Sequence, residues 1–435
     1  MGIQYGLPFG NLLNPDEQSI VPRAWKIVHG GGGDPHWFDY PSLLMYVNAP
    51  FQLWQDEPSF LTARIVGVVL ALAAVGASWW LGRRAFGTPT AGATAAATVA
   101  VCTIHVAYSR AAVTDVPLTL GFAGALALMV RGRLELAGLA VGLATGFKYP
   151  GVFLLVPLVV AGWHAWRRLA VSICVAVAAF LASSPFIVVH AHQAWADVTR
   201  VQRLAREGWL GFEHDHAAPI TFVDRLWEGL GPVLIVAALG LAVALARRTR
   251  TDLILGSFVL VYFLNLMTLD AHFDRYVLPL VPALGSLAGR FRSLAPVTLL
   301  LLVIPLTWSV RDTKVLTRTD TRVVAHGWIE RHIPPGTRVA ADPSTPRLEG
   351  LRVLRLELPG PKREFDRDRS LSRLRRLGVR YVVVTGAITD RVLAARSHYL
   401  REARFYEDLR RRTRRVYHLE PGGNLAGPWV AVYEL

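Results

Sequence analysis

The sequence specifies a polytopic α-helical membrane protein with a C-terminal soluble α/β domain, and three observations carry that reading. Of 435 residues, 52% are hydrophobic and the mean hydropathy is +0.34, an average that soluble chains of this size seldom reach. Apolar runs recur from residue 60 to residue 310, with Arg pairs between them at every second connection, as in cytoplasmic membrane loops. After Arg311 these runs give way to short apolar stretches between charged segments, which is how a soluble domain reads. The expected organisation is a first outer loop over 1–59, a transmembrane helical domain over 60–310 and an extracytoplasmic α/β domain over 311–435.

In chain order, the start "MGIQYGLPFGNLLNPDE" has neither a basic opening nor an apolar core of adequate length, so targeting falls to the membrane spans. The stretch "NPDEQSIVPRAWKIVHGGGGDPHWFDYPSLLMYVNAP" follows, a polar segment rich in His, aromatics, Gly and Pro. Its glycine run Gly30 to Gly33 has no strand before it and no phosphate-binding helix pattern after it, so it reads as a flexible loop. A bilayer crossing needs about 20 helical residues. On that measure about ten spans are expected, near 60–82, 88–108, 115–130, 134–148, 151–166, 169–188, 231–246, 253–269, 276–289 and 293–310. Several are short for a crossing, which predicts tilted, broken or extended helices.

Orientation follows from the basic residues. Arg83 with Arg84, Arg131 with Arg133, Arg167 with Arg168, Arg247 with Arg248 and Arg250, and Arg290 with Arg292 all read as cytoplasmic. Residues 1–59, a long loop over 189–230, the turns near 110–115, 148–151 and 270–275, and everything after 310 then lie outside. The net charge of +15 thus belongs to membrane topology, and nucleic acid is not an expected partner. Cys102 and Cys174 fall inside apolar runs and read as packing residues. In the C-terminal part, 321–332 and 389–412 read as helical, and "RVAAD", "YVVVTG", 416–419 and 429–435 as strands. The Arg-rich "RLRR" and "LRRRTRR" read as solvated faces.

The candidate chemistry is concentrated in the outer segments. Asp16 and Glu17 are adjacent carboxylates ahead of an aromatic rim that includes His36 and Tyr40. One of them could serve as a general base toward a hydroxyl, or the two could share a divalent cation. Asp115, where "YSRAAVTDVPLT" re-enters the membrane, is either a helix N-cap or a site residue. Arg110, at the same rim, is either a snorkelling side chain or a site cation. Lys148, Arg64 and Arg275 are single cations in apolar surroundings. A charge at membrane depth needs a partner, which is an Asp, a backbone carbonyl or a ligand phosphate. His190, His192, Glu213, His214, Asp215 and His216 have metal-ligand types without a metal-ligand spacing, and they read as wet loop residues.

Taken together, "NPDEQ", "FDYPSLLMYV", "RIVGVV", "SRAAVTDVPLT", "GLATGFKYPG" and "DRYVLPLVPAL", in that order, resemble the GT-C class of membrane glycosyltransferases. The resemblance is to the bacterial, phospholipid carrier-dependent relatives of dolichyl-phosphate-mannose protein mannosyltransferase and of the lipid A aminoarabinose transferase. "WIERHIPPGTRVAAD" and the closing "GPWVAVYEL" resemble the periplasmic domain of such proteins. The resemblance implies a GT-C fold in the inner membrane and transfer of a sugar, with inversion, from a polyprenyl-phosphate-linked donor to a hydroxyl on a protein, lipid or glycan. It implies that Asp16 is the base with Glu17 beside it, that Arg64, Lys148 and Arg275 bind the donor phosphate, and that Asp115, Arg110, His36 and Tyr40 support the site. Such enzymes normally carry a transmembrane helix ahead of the Asp-Glu loop, and only "MGIQYGLPFGNLLN" stands there in this sequence. Two other readings compete: a multi-span transporter or flippase of a lipid-linked sugar, and a catalytically silent scaffold.

Overall fold

The computed structural model describes residues 1–435, which divide into two compact units. The larger, Ser19–Arg203 with His216–Asp312, is all-helical. The smaller, Met1–Gln18 with Leu204–Asp215 and Thr313–Leu435, contains the β-sheet.

The helical unit is built on apolar runs whose ends are set by identifiable signals. Phe60–Phe86 starts where Ser59 accepts a hydrogen bond from the Thr62 N–H and stops at Gly87, whose φ of 74° is left-handed. Asp115–Val130 is apolar all round and correspondingly buried: Val116, Leu118, Phe122, Leu126 and Met129 are almost wholly inaccessible. Phe122 packs against Phe258 and Tyr262, with ring centroids 5.0 and 5.7 Å apart. By contrast, Val69 on Phe60–Phe86 and Leu300 on Ala295–Leu301 are exposed, the surface a hydrocarbon solvent accommodates and water does not.

Close helix approach depends on small residues. Gly138, Gly142 and Gly146 recur every fourth position on Leu134–Phe147, facing Trp166–Ser183. A Cβ at these positions would collide with the Ser172 carbonyl, the Ala176 carbonyl and the Ser183 hydroxyl respectively, so glycine sets the interaxial distance.

Phe60–Phe86, Trp166–Ser183 and Arg292–Val315 are long and apolar enough to cross a membrane, and a fourth crossing results if Ala218–Leu230 and Val233–Arg247 form one span. That pair bends by 118° at Gly231, whose φ of +57° is left-handed, followed by Pro232, which cannot donate a backbone hydrogen bond. Asp115–Val130, Leu134–Phe147 and Tyr149–Gly162 are shorter apolar helices. The run expected at 88–108 is broken into Pro89–Val101 and Thr103–Tyr108 around a non-helical Cys102.

Two segments expected as loops contain helices. Residues 189–230 contain Ala191–Glu207 and Ala218–Leu230, and the first 59 residues contain Glu17–Val28 and Leu43–Asn48. Three of these four are amphipathic, with too many polar residues to register as apolar runs.

The smaller unit is a three-layer α/β/α arrangement. Its five-stranded sheet runs in the order Arg352–Arg355, Arg338–Ala341, Tyr381–Thr385, Val430–Glu434, Arg414–Leu419. The first two pairings are parallel and the last two antiparallel. Successive side chains of a strand point to opposite faces. Val339, Ala341, Tyr381, Val383, Val430 and Val432 therefore pack toward the Thr321–His332 helix. Ala340, Val382, Val384, Ala431 and Tyr433 pack toward Leu371–Arg376, Gly386–Ala394 and Leu400–Arg412. Burial on both faces is why Tyr381–Thr385 reads as a continuous apolar run. The N-terminal segment is fastened to this unit by Asn11 Nδ2 donating to the Thr345 carbonyl (3.1 Å) and Arg322 Nη2 donating to the Leu12 carbonyl (2.8 Å). The arginines of "RLRR" and Arg410 to Arg412 are exposed, as expected of solvated faces.

The glycine seam gives a direct test. Gly142→Val introduces volume where backbone already touches backbone, at a cost of about 1–3 kcal/mol. The apparent melting temperature of the detergent-solubilised protein should fall clearly. Gly76→Val, at a position with open space around it, should change it little.

Candidate functional site

The centre of the helical unit's polar site is a buried ion pair. Lys148 ends the Leu134–Phe147 helix in an extended conformation, φ −157° and ψ 136°, before the turn Tyr149–Leu154. The turn closes through the Gly151 N–H donating to the Lys148 carbonyl at 2.9 Å. Position 151 must be glycine, because a Cβ would collide with the Thr145 amide. This break delivers Lys148 Nζ to within 2.5 Å of Asp115 Oδ1, with the side chains 8% and 2% exposed.

Asp115 is the first residue of its helix and Thr114 occupies the cap position. The N-cap reading of Asp115 is therefore corrected: its carboxylate neutralises Lys148. Its other oxygen, Oδ2, is buried without a hydrogen bond and offers an acceptor to an incoming N–H or O–H. Lys148 Nζ also lies 5.4 Å from the centroid of the Tyr40 ring and 5.5 Å from that of Tyr276. Two aromatic faces and one carboxylate thus surround the ammonium.

A second polar group involves the same Asp274–Leu280 turn that carries Tyr276. Tyr108 Oη donates to Asp274 Oδ1 at 2.8 Å, and the Arg275 N–H donates to the same oxygen at 2.8 Å. The Arg275 guanidinium lies over the Phe273 ring, 5.0 Å from its centroid. Arg64 is fully buried on Phe60–Phe86. Arg110 does not snorkel: it is buried, and its Nε and Nη2 donate to the Val106 carbonyl at 3.2 and 3.0 Å. Burial lowers its guanidinium from the ordinary value, and the Asp312 carboxylate opposes that shift.

Tyr40 is placed by a series of contacts that fasten residues 34–39 to the Ala191–Glu207 helix and the residue just before it. Asp34 Oδ2 meets His190 Nε2 at 2.5 Å, Gln193 Nε2 donates to the His36 carbonyl at 3.3 Å, the Phe38 N–H donates to Asp197 Oδ2 at 3.1 Å, and Arg200 pairs with Asp39. His190, Gln193, Asp197 and Arg200 are spaced three or four apart, which is one helical face. Burial pushes the Asp39 carboxyl up, against the pull of Arg200. Tyr149 Oη completes the series by donating to the Phe38 carbonyl at 2.8 Å.

Of the expected site residues, the structure thus brings Asp115, Lys148 and Tyr40 together. His36 joins a different group, with Asp34 and His190, whose ligand-type atoms all lie within 4.8 Å of one another. Asp16 and Glu17 belong to the smaller unit. There the Asp16 N–H donates to Asn14 Oδ1 (3.0 Å) and the Glu17 N–H to the Asn14 carbonyl (3.2 Å). The pair thus opens the Glu17–Val28 helix, where negative charge is favoured by the orphan amides. Asp16 is half-buried and Glu17 fully buried. Tyr276, Tyr108 and Asp274 were missed in the sequence, although "DAHFDRY" sets Asp274 directly beside the cation that was singled out.

Comparison with known proteins bears on this arrangement. A model of glycosyltransferase family 87 matches residues 37–269, more than half of the chain, including Tyr40, Arg64, Asp115 and Lys148. No curated protein matches by sequence. Among solved structures, ArnT from Cupriavidus metallidurans in the apo state superposes with a TM-score of 0.60 at 16% identity, covering 98% of this chain and 94% of that one. The same protein bound to undecaprenyl phosphate gives 0.59 at 15% identity, over 97% and 94%. The oligosaccharyltransferase AglB from Archaeoglobus fulgidus, in complex with an inhibitory peptide and a dolichol-phosphate, gives 0.54 at 12%, over 95% and 69%. The fold is that of the GT-C membrane glycosyltransferases.

The ion pair makes a quantitative prediction. Lys148→Met leaves Asp115 buried beside an apolar group and should destabilise the protein by roughly 3–5 kcal/mol, whereas replacing both partners should restore most of the loss. Melting temperatures of Lys148→Met, Asp115→Leu and the double variant provide the check. Strict additivity of the two single effects would disprove the coupling.

Proposed function

The chain belongs to glycosyltransferase family 87, and from that membership we propose that it moves a sugar from a polyprenyl-phosphate carrier to a hydroxyl on a protein, lipid or glycan. The reaction takes place at the outer face of the cytoplasmic membrane. The observation that carries this reading is the dry, aromatic-walled Lys148–Asp115 pair inside a helical unit of GT-C fold. The undecaprenyl phosphate of the ArnT complex and the dolichol-phosphate of the AglB complex support a lipid phosphate as the donor's handle.

Phosphate is both the grip on the donor and the leaving group. Cations set in a low-dielectric site hold it, and they lower the cost of the charge that develops as the glycosidic bond breaks. Arg64, Lys148 and Arg275 have this role. Tyr40 and Asp115 fix the position of Lys148, and Arg110 supports the same rim. Asp16, with Glu17 beside it, takes the proton of the acceptor hydroxyl as that oxygen attacks the anomeric carbon. The polyprenyl phosphate departs from the opposite face and the configuration inverts. A phosphate leaves without a general acid, so one base suffices. The prenyl chain lies against the exposed apolar helix surfaces, each methylene removed from water contributing ~0.8 kcal/mol.

Purified protein in lipid nanodiscs, incubated with a panel of polyprenyl-phosphate sugars and hydroxyl acceptors, should consume one donor and release polyprenyl phosphate. Asp16→Asn should lower the rate about 10²–10⁴-fold, the range for loss of a general base, with expression unchanged. Undiminished turnover in that variant removes Asp16 from its role. No turnover and no binding of any donor by the wild type removes the donor class.

A further inference from the structure

We propose that Asp34, His36 and His190 form a zinc site that clasps the first loop to the start of the Ala191–Glu207 helix. The proposal rests on the local geometry of the helical unit and does not depend on sugar transfer. The three side chains offer one carboxylate and two imidazoles, a donor set that suits zinc and other borderline divalent ions. His36 Nδ1 lies 3.3 Å from Asp34 Oδ2. Ligands held about 2.0–2.2 Å from a tetrahedral zinc ion stand about 3.3 Å from one another. The 2.5 Å between His190 Nε2 and Asp34 Oδ2 is a direct hydrogen-bonding contact, and it opens by under about 1 Å when a metal ion takes its place.

The surrounding backbone fits a ligand loop. His36 has a left-handed φ of 48°, unusual for a residue with a Cβ, and Gly30 and Gly32 upstream are also left-handed, at 83° and 74°. The main chain thus turns sharply enough to present Asp34 and His36 to His190 together. The His36 and His190 rings have centroids 5.4 Å apart. Tyr46 Oη donates to the Gly33 carbonyl at 2.9 Å and so fastens the loop from its other side. The His36 side chain is 69% exposed, so the fourth coordination position is open to water.

The consequence is positional. The site is the first of the contacts that run through Gln193, Asp197 and Arg200 and set the loop leading to Tyr40, beside Lys148. A zinc ion at Asp34 replaces a single side-chain contact at the solvent edge with three metal–ligand bonds. The segment holding Tyr40 is then tied down at the end where it is most accessible.

The test uses the full chain, stripped with a chelator and titrated with cobalt(II) and then with zinc. The expected result is a visible cobalt absorption typical of tetrahedral nitrogen and oxygen ligands, its displacement by zinc, and one zinc per chain by elemental analysis. His36→Ala, at an exposed position that should not disturb folding, and His190→Ala should each weaken zinc binding more than about tenfold, beyond the lower bound for losing a partner outside the ligand set. Both should also abolish the zinc-dependent rise in melting temperature. Failure of the wild type to retain stoichiometric metal at micromolar free zinc overturns the site. Metal binding that survives in the His36→Ala/His190→Ala double variant does so equally.

Discussion

A cation in the interior of an apolar helical unit has to be neutralised in place, and much of the local architecture follows from meeting that requirement at Lys148. The ammonium and the Asp115 carboxylate, 2.5 Å apart and almost wholly buried, would each be costly alone. Bringing them together requires the Leu134–Phe147 helix to stop and the chain to extend for one residue, and it requires a turn so tight that only glycine fits at 151. It also fixes where Asp115–Val130 begins, because its first residue supplies the counter-charge. That helix is deeply packed, through Phe122 and its contacts with Phe258 and Tyr262. The pair is thus anchored to a closely packed part of the helical unit.

The first loop is organised toward the same point by a different means. Its backbone and acidic side chains are matched to one face of the Ala191–Glu207 helix, residue by residue, and the last member of the series stands next to Tyr40. Hydrogen bonds to buried or charged groups, such as that from the Phe38 amide to Asp197, are worth more than exposed ones. A loop fastened along its length presents an aromatic ring to an ammonium more reproducibly than one held only at its ends.

Sequence patterning revealed what depends on period and composition and missed what depends on three-dimensional convergence. Long apolar runs such as 60–82 and 115–130 are helices because a continuous apolar stretch has few other ways to satisfy its backbone in hydrocarbon. "YVVVTG" is a doubly buried strand because both its faces are apolar. Ala191–Glu207 reads as loop in the sequence, since a helix with one polar face leaves no continuous apolar run. The cations were legible, because a lone Lys or Arg among apolar residues needs explaining. Their partners were not: Asp115 lies 33 positions from Lys148, and Tyr108 lies 166 from Asp274. The group of Asp34 and His36 is illegible for the same reason, since the second imidazole, His190, is 156 residues from Asp34.

The ion pair also bears on how a phosphate could be held. Lys148 and Asp115 together carry no net charge, so in a low-dielectric site the pair attracts an anion much less than an isolated ammonium would. Arg64, buried to zero exposure, is likewise compensated within the protein, since an uncompensated guanidinium there would be prohibitively costly. On the proposed reading, a donor phosphate therefore joins an already satisfied network. It shares the Lys148 ammonium with Asp115 and takes part of the coordination that other groups hold before it arrives. Such a site stands without its ligand and binds it with modest net free energy. That suits a carrier lipid, which has to leave after every turnover.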